Sequence, residues 1–189
     1  MDQRIFWVIV EAALDECPNE PAAQEKAIKK QLFHFDLEEL VCFQAIGTEL
    51  MNGIYTSDIW AAAFVIYSGC SDDEFKDFRG WLIGQGEQAY MQAVSQADAI
   101  YDILQPYDSF KNYRAQMSLD LLVYEVVRRR FGLHQEDFKN KVKQLLNQRG
   151  FEPITSVDLS WGLSYPESLR LIIPRLMEAY WDESFWGDL

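Results

Sequence analysis

Six residues in one stretch carry groups from which a polar site can be assembled: Asp58, Trp60, Asp72, Asp73, Arg79 and Trp81. Carboxylates beside an arginine and two indoles can bind a polar ligand or divide acid and base roles. The same residues have a structural reading. Ser71-Asp72-Asp73 has the grammar of a helix start, and Arg79, about two turns on, could pair with Asp58 inside the fold. Caps and ion pairs are much commoner than catalytic carboxylates, so the structural reading is preferred. A small-molecule or hydrolase pocket around Asp58, Trp60, Arg79 and Trp81 is the alternative.

Other reactive groups are sparse. Cys17, Cys42 and Cys70 are an odd number at wide spacing, which argues against a disulfide framework and for a reducing cytoplasm. No CxxC pair or Cys/His cluster is present, so neither a metal site nor a cofactor is expected. Cys70 precedes a helix start, where a thiol is acidified, but its place in a hydrophobic staple favours packing against Phe75. His34, between Phe33 and Phe35, reads as a partly buried packing residue, and His134 has no His at helical spacing. Gly80, Gly84 and Gly86 lack the phosphate-binding GxGxxG order. A glycine inside a helix costs about 1 kcal/mol relative to alanine, so Gly80 implies close approach of another helix.

The chain has 189 residues and a net charge of -13. That charge argues against a nucleic-acid-coating protein. No apolar run reaches the roughly 20 residues of a membrane span, and the apolar start Ile5 to Val10 carries no cleavage signature. The one basic island runs from Glu125 to Arg149, with seven basic and three acidic residues. Its triplet Arg128-Arg129-Arg130 could grip phosphate. The simpler expectation is that it complements a helix C-terminus and pairs with the acidic remainder.

Helical signals position these groups. Asp2–Leu14 places Ile5, Phe6, Ile9, Ala12 and Ala13 on one stripe, and Ala22–Phe33 turns Ala27, Ile28 and Leu32 inward. Asp36 and Glu39 form a capping box for a helix ending at Asn52-Gly53. A segment apolar on every side, Ile59–Tyr67, predicts a buried central helix. Ser71 and Glu74 repeat the box, ahead of Phe75, Phe78, Trp81 and Leu82. Short helices follow near Glu87–Val94 and Asp98–Leu104. A long one is expected over Tyr113–Phe131, with Met117, Leu121, Tyr124 and Val127 or Arg128 in register and Gly132 as its cap. Glu136–Asn147 forms another. Residues 151–165 read as irregular, with a short hairpin as the alternative, before a helix at Pro166 broken at Pro174. The fold class is all-α: one helical domain over 1–181 and an acidic, loose tail over 182–189.

The block from Tyr55 to Gly86 resembles a bacterial family catalogued as a domain of unknown function. The pieces are Asp58-Ile59-Trp60-Ala61-Ala62-Ala63-Phe64, Gly69-Cys70-Ser71-Asp72-Asp73-Glu74-Phe75 and Phe78-Arg79-Gly80-Trp81-Leu82-Ile83. Phe6-Trp7, Leu121 to Tyr124 and Pro174-Arg175-Leu176 add weaker matches. The resemblance implies a bacterial, mostly helical protein and carries over no catalytic residue.

Lacking a catalytic set and strongly acidic, the chain reads first as a cytoplasmic protein-interaction module. Its partner would be a protein, and a basic one would be neutralised much as a toxin is by an immunity protein. The expected carriers are Glu16, Glu20 and the Asp182-Glu183 pair. Neither membrane nor nucleic acid is expected as a partner.

Overall fold

The computed structural model describes residues 1–18, 20–105, 117–162 and 166–182. Among them are eleven α-helices and a 3₁₀ turn, with no strand. The helices are α1 Gln3–Glu16, α2 Pro21–Leu32, α3 Leu37–Gly53, α4 Ser57–Tyr67, α5 Asp72–Gly84 and α6 Glu87–Ser95. The 3₁₀ turn Ala97–Ala99 leads into α7 Ile100–Leu104, followed by α8 Leu119–Phe131, α9 Gln135–Gln148, α10 Pro166–Ile172 and α11 Pro174–Tyr180.

Two buried helices organise the rest. The long α3 packs against α1, α5, α8 and α9, and α4 packs against α5, α10, α11 and the 3₁₀ turn. Helix α4 is closed to solvent at Ile59 and from Ala61 to Tyr67, as its all-round apolar sequence requires. Helix α5 touches both hubs and brings Phe75, Phe78, Trp81 and Leu82 to full burial. Both capping boxes form. Glu39 N–H donates to Asp36 at 2.9 Å, and Ser71 N–H donates to Glu74 at 2.9 Å. Gly132 caps α8 in the left-handed conformation, with φ of 62°.

Several expectations shift. On α1 the buried face is Phe6, Trp7, Ile9, Val10 and Ala13, while Ile5 and Ala12 are exposed. The indole of Trp7 sets that rotation by packing on Phe6 and Tyr90. Helix α8 starts at Leu119, because Met117 and Ser118 run past Gly80 as non-helical backbone; positions 113–116 lie outside the described residues. Its buried face is Leu119, Leu122, Val123, Val126 and Val127, so Leu121 is left exposed. Residues 151–162 form no strand. They run as a strap: Ile154 N–H donates to the Asn52 side chain at 2.7 Å, and the indole N–H of Trp161 donates to Ser57 O at 3.0 Å. Trp161 is buried against Phe64. Of the tail, Asp182 is described and exposed, and residues 183–189 lie outside the described residues.

Candidate functional site

The stretch from Tyr55 to Trp81 is built on three turns of chain. Thr56 caps α4 through its hydroxyl, accepting from Ile59 N–H at 3.3 Å. Ser68 ends α4 in the left-handed region, with φ of 54°. Ser71 then starts α5, and the angle between the two helices stacks Trp60 on Phe75, with centroids 4.5 Å apart. The Trp60 indole N–H donates to Cys70 O at 3.4 Å.

Arg79 completes this cluster. Its guanidinium carbon lies 4.4 Å from the Tyr55 ring centroid and 4.8 Å from that of Phe75. One guanidinium nitrogen donates to Met51 O at 2.8 Å. Burial pushes the Arg79 pKa below its ordinary value, with Tyr55 pulling the other way. The buried Nε has no hydrogen-bond partner among the described residues. A cation held between ring faces and tied to a carbonyl fixes α5 against the α3–α4 turn.

The structure therefore brings together Tyr55, Trp60, Phe75 and Arg79. It does not bring Asp58 to Arg79: Asp58 is exposed on the first turn of α4, and the Arg79 acceptor is the Met51 carbonyl. Asp72 and Asp73 are exposed on the first turn of α5, where carboxylates complement the helix dipole. Trp81 is fully buried beside Phe78. All three cysteines are free thiols, and Cys70 is half-buried. No group of three or more His, Cys, Asp or Glu among the described residues could hold a metal ion. No helix among them is long and apolar enough to cross a membrane.

Three of the cavities among the described residues lie between other helices. A groove of about 800 Å³ between α3 and α9 is lined by Asp36, Val41, Cys42, Lys141 and Leu145. A cavity of about 210 Å³ beneath α8 and α9 is lined by Gln44, Asp120, Tyr124, Phe138 and Val142. There the Gln44 side chain donates to Asp120 at 2.6 Å, and Lys76 donates to the same carboxylate at 2.9 Å. The third, about 380 Å³, separates α2 from α8 and is lined by Lys26, Lys30, Phe33, His34, Val126 and Arg129, with Lys29 and Glu125. His34 is exposed in this cleft rather than packed, because α2 ends at Leu32 and the turn carries it outward. Arg130 leaves the triplet, donating to Phe35 O with its guanidinium over Phe33 and Phe131.

The cleft escapes a reading along the sequence because its halves are about a hundred positions apart. One local signal exists: Lys26, Lys29, Lys30 and Phe33 are spaced to share one helical face. A second surface was equally hidden. Glu11 on α1 accepts from the Glu87 N–H at 3.2 Å and caps α6, and Trp7 meets Tyr90 with centroids 5.5 Å apart. Next to this joint Val8 and Met91 are more than half exposed, at 57% and 56%, with Val94 and Ile5 little less so. Glu11, Asp15 and Glu16 share α1 with Ile5 and Val8, as does the cation Arg4, and Glu87 shares α6 with Met91 and Val94; all four acids are exposed and without ion pairs among the described residues.

Residues 1–127 match the model of the family described as Protein of unknown function (DUF4240), and the chain belongs to that family. The match covers the Tyr55–Gly86 block and ends inside α8, before α9, the strap and α11. No curated protein and no solved structure matches the chain.

Proposed function

We propose that this family member is a cytoplasmic bacterial interaction protein that binds a basic protein partner through its α1–α6 face. One observation carries the reading: on α1 and α6, joined at Glu11–Glu87 and Trp7–Tyr90, exposed Ile5, Val8, Met91 and Val94 share their helices with the exposed acids Glu11, Asp15, Glu16 and Glu87. An apolar centre with a charged rim is the anatomy of a protein interface, and large exposed apolar side chains are costly without a partner. The acids sit where they would steer a cationic partner and orient it before the apolar contacts close. Glu20, just beyond α1, extends the acidic edge. Such a protein would neutralise its partner by occupying it, as immunity proteins do, with no chemistry of its own. The Tyr55–Arg79 cluster then serves to hold α3, α4 and α5 in register.

The test uses a lysine/leucine peptide with helical spacing as probe, titrated by fluorescence anisotropy at low and at physiological salt. The charge-reversed double variant Asp15→Lys/Glu16→Lys should weaken binding about tenfold or more, and Val8→Ser/Met91→Ser should weaken it comparably. Glu152→Lys/Asp158→Lys makes the same charge change on the strap and should leave binding nearly unchanged. Equal loss in both charge reversals would mean that net charge, and not this face, attracts the peptide, and the reading would fall. In cells the captured partner should itself be basic, and its capture should be lost with the Asp15/Glu16 variant.

A further inference from the structure

The α2–α8 cleft sets cations where a chain of charge -13 has acids to spare. Lys29 is satisfied: it meets Glu125 at 2.7 Å and Glu25 at 3.9 Å. Lys26, Lys30 and Arg129 have no ion pair among the described residues, and His34 stands beside them. Complementing the helix dipole accounts for cations in the last turns of α2 and α8. It does not account for Lys26, a turn earlier, or for the two rows facing each other across a cavity. The floor is apolar at Val126, and Phe33, 47% exposed, offers a ring at one end.

We infer that this cleft binds a small phosphorylated molecule carrying a flat ring, of nucleoside diphosphate size. The phosphates would lie among Lys26, Lys30 and Arg129, and the ring against Phe33. Size favours this over a polymer. From Lys26 to Phe33 the lining spans seven residues, about 10 Å of helix at 1.5 Å per residue. The volume of about 380 Å³ is that of a small-ligand pocket. A small anion would sit wholly within the local positive field, since charges beyond about 8–10 Å are screened at ordinary salt. A nucleic acid would run out over the acidic surface on either side and be repelled. The inference is independent of the α1–α6 face, which uses none of these residues.

Isothermal titration of the full chain with adenosine diphosphate, and separately with inorganic pyrophosphate, tests it in about 50 mM NaCl, where screening is modest. Adenosine diphosphate should bind saturably at one site. Lys30→Gln and Arg129→Gln should each weaken it about tenfold, as loss of one charged hydrogen bond does. Phe33→Ala should weaken the nucleotide and leave pyrophosphate unchanged. Lys143→Gln, a cation on α9 outside the cleft, should change neither. Lys30 and Arg129 are exposed, so both variants keep the fold. No saturable nucleotide binding up to millimolar concentration overturns the proposal, as does unchanged affinity in the Lys30, Arg129 or Phe33 variants. A single-stranded oligonucleotide binding more tightly than the nucleotide also overturns it and assigns the cleft to a polymer.

Discussion

Gly80 lies on the buried side of α5, and the reason for a glycine there can be measured. A Cβ built at this position would lie 1.9 Å from the carbonyl oxygen of Met117 and 3.1 Å from its carbonyl carbon. Even a weak hydrogen-bonded carbon–oxygen contact needs about 3.3 Å, so the two segments would have to part by more than about 1 Å. The obstacle is backbone, which no side-chain rotation relieves. It immediately precedes the buried start of α8, where Met117 is 1% exposed. Alanine gains about 1 kcal/mol in helix propensity, against an overpacking cost near 3 kcal/mol. Gly80→Ala should therefore destabilise the protein by about 2 kcal/mol, a fall in Tm of about 4–8 °C for a chain of this length. Gly84 is the internal control, one turn further along the same helix. Its added Cβ would meet the Met117 side chain, at 2.9 Å from Cε and 3.1 Å from Sδ, with the Gln24 side-chain oxygen at 3.4 Å. A methionine end can swing aside, so Gly84→Ala should stay within about 1 kcal/mol of the parent. Urea unfolding followed by tryptophan fluorescence reads both midpoints. A Gly80→Ala protein as stable as the parent, or a larger loss at Gly84, would refute the argument.

Two further perturbations probe groups with one clear task. Asp98, 1% exposed, accepts from Arg175 N–H at 3.0 Å and Leu176 N–H at 3.1 Å, and so closes the start of α11. Asp98→Ala should cost about 3 kcal/mol by leaving two amides without acceptors, and Asp98→Asn about 1 kcal/mol, both read from denaturation midpoints. The Glu25 carboxyl is held above its ordinary 4.5, mainly by burial and further by Glu125 and Asp77, against the pull of Lys29 and the Ser118 backbone. The folded state keeps that proton to higher pH than the unfolded chain does. The contribution therefore favours folding below the ordinary value and is lost as pH rises through the shifted one. Glu25→Gln should gain on the parent in urea midpoint between about pH 4 and pH 7; a gap that closes over that range would contradict the assignment.

Local grammar was legible in the sequence, and tertiary neighbourhood was not. The capping boxes at Asp36 and Ser71, the left-handed cap at Gly132 and the buried α4 follow from bonds within four residues or from composition. The faces of α1 and α8 slipped because apolar residues outnumber the buried positions. Ile5, Val8 and Leu121 fit a helical stripe as well as Trp7 or Val123 do, and only the packed partner chooses. For the candidate site, the aromatic and charged types between Tyr55 and Trp81 were visible, but their grouping was not. Arg79 met Tyr55 and Phe75 rather than Asp58 because a guanidinium half out of water gains from ring faces and a carbonyl. Asp58, on a helix first turn, keeps its hydration and the dipole. The close approach at Gly80 was foreseen, although it is made by the non-helical backbone of Met117 and not by a helix.

The net charge of -13 looks different once its carriers are placed. Asp36, Asp72 and Asp73 belong to helix starts, and Glu11 caps α6. The remaining acids on α1 stand in the open beside apolar side chains, whereas α2, which packs on α1, turns its lysines towards α8. Screening at physiological salt reduces interaction between exposed charges more than about 8 Å apart, so the two surfaces act as separate fields rather than cancelling. A basic protein approaching α1 meets Glu11, Asp15 and Glu16 against the single cation Arg4 of that helix. A small anion entering between α2 and α8 meets cations whose acidic neighbours, Glu125 and Glu25, are already engaged by Lys29. The global charge governs only ligands long enough to average over the surface, which is why it opposes nucleic acid and leaves room for a phosphate-bearing small molecule.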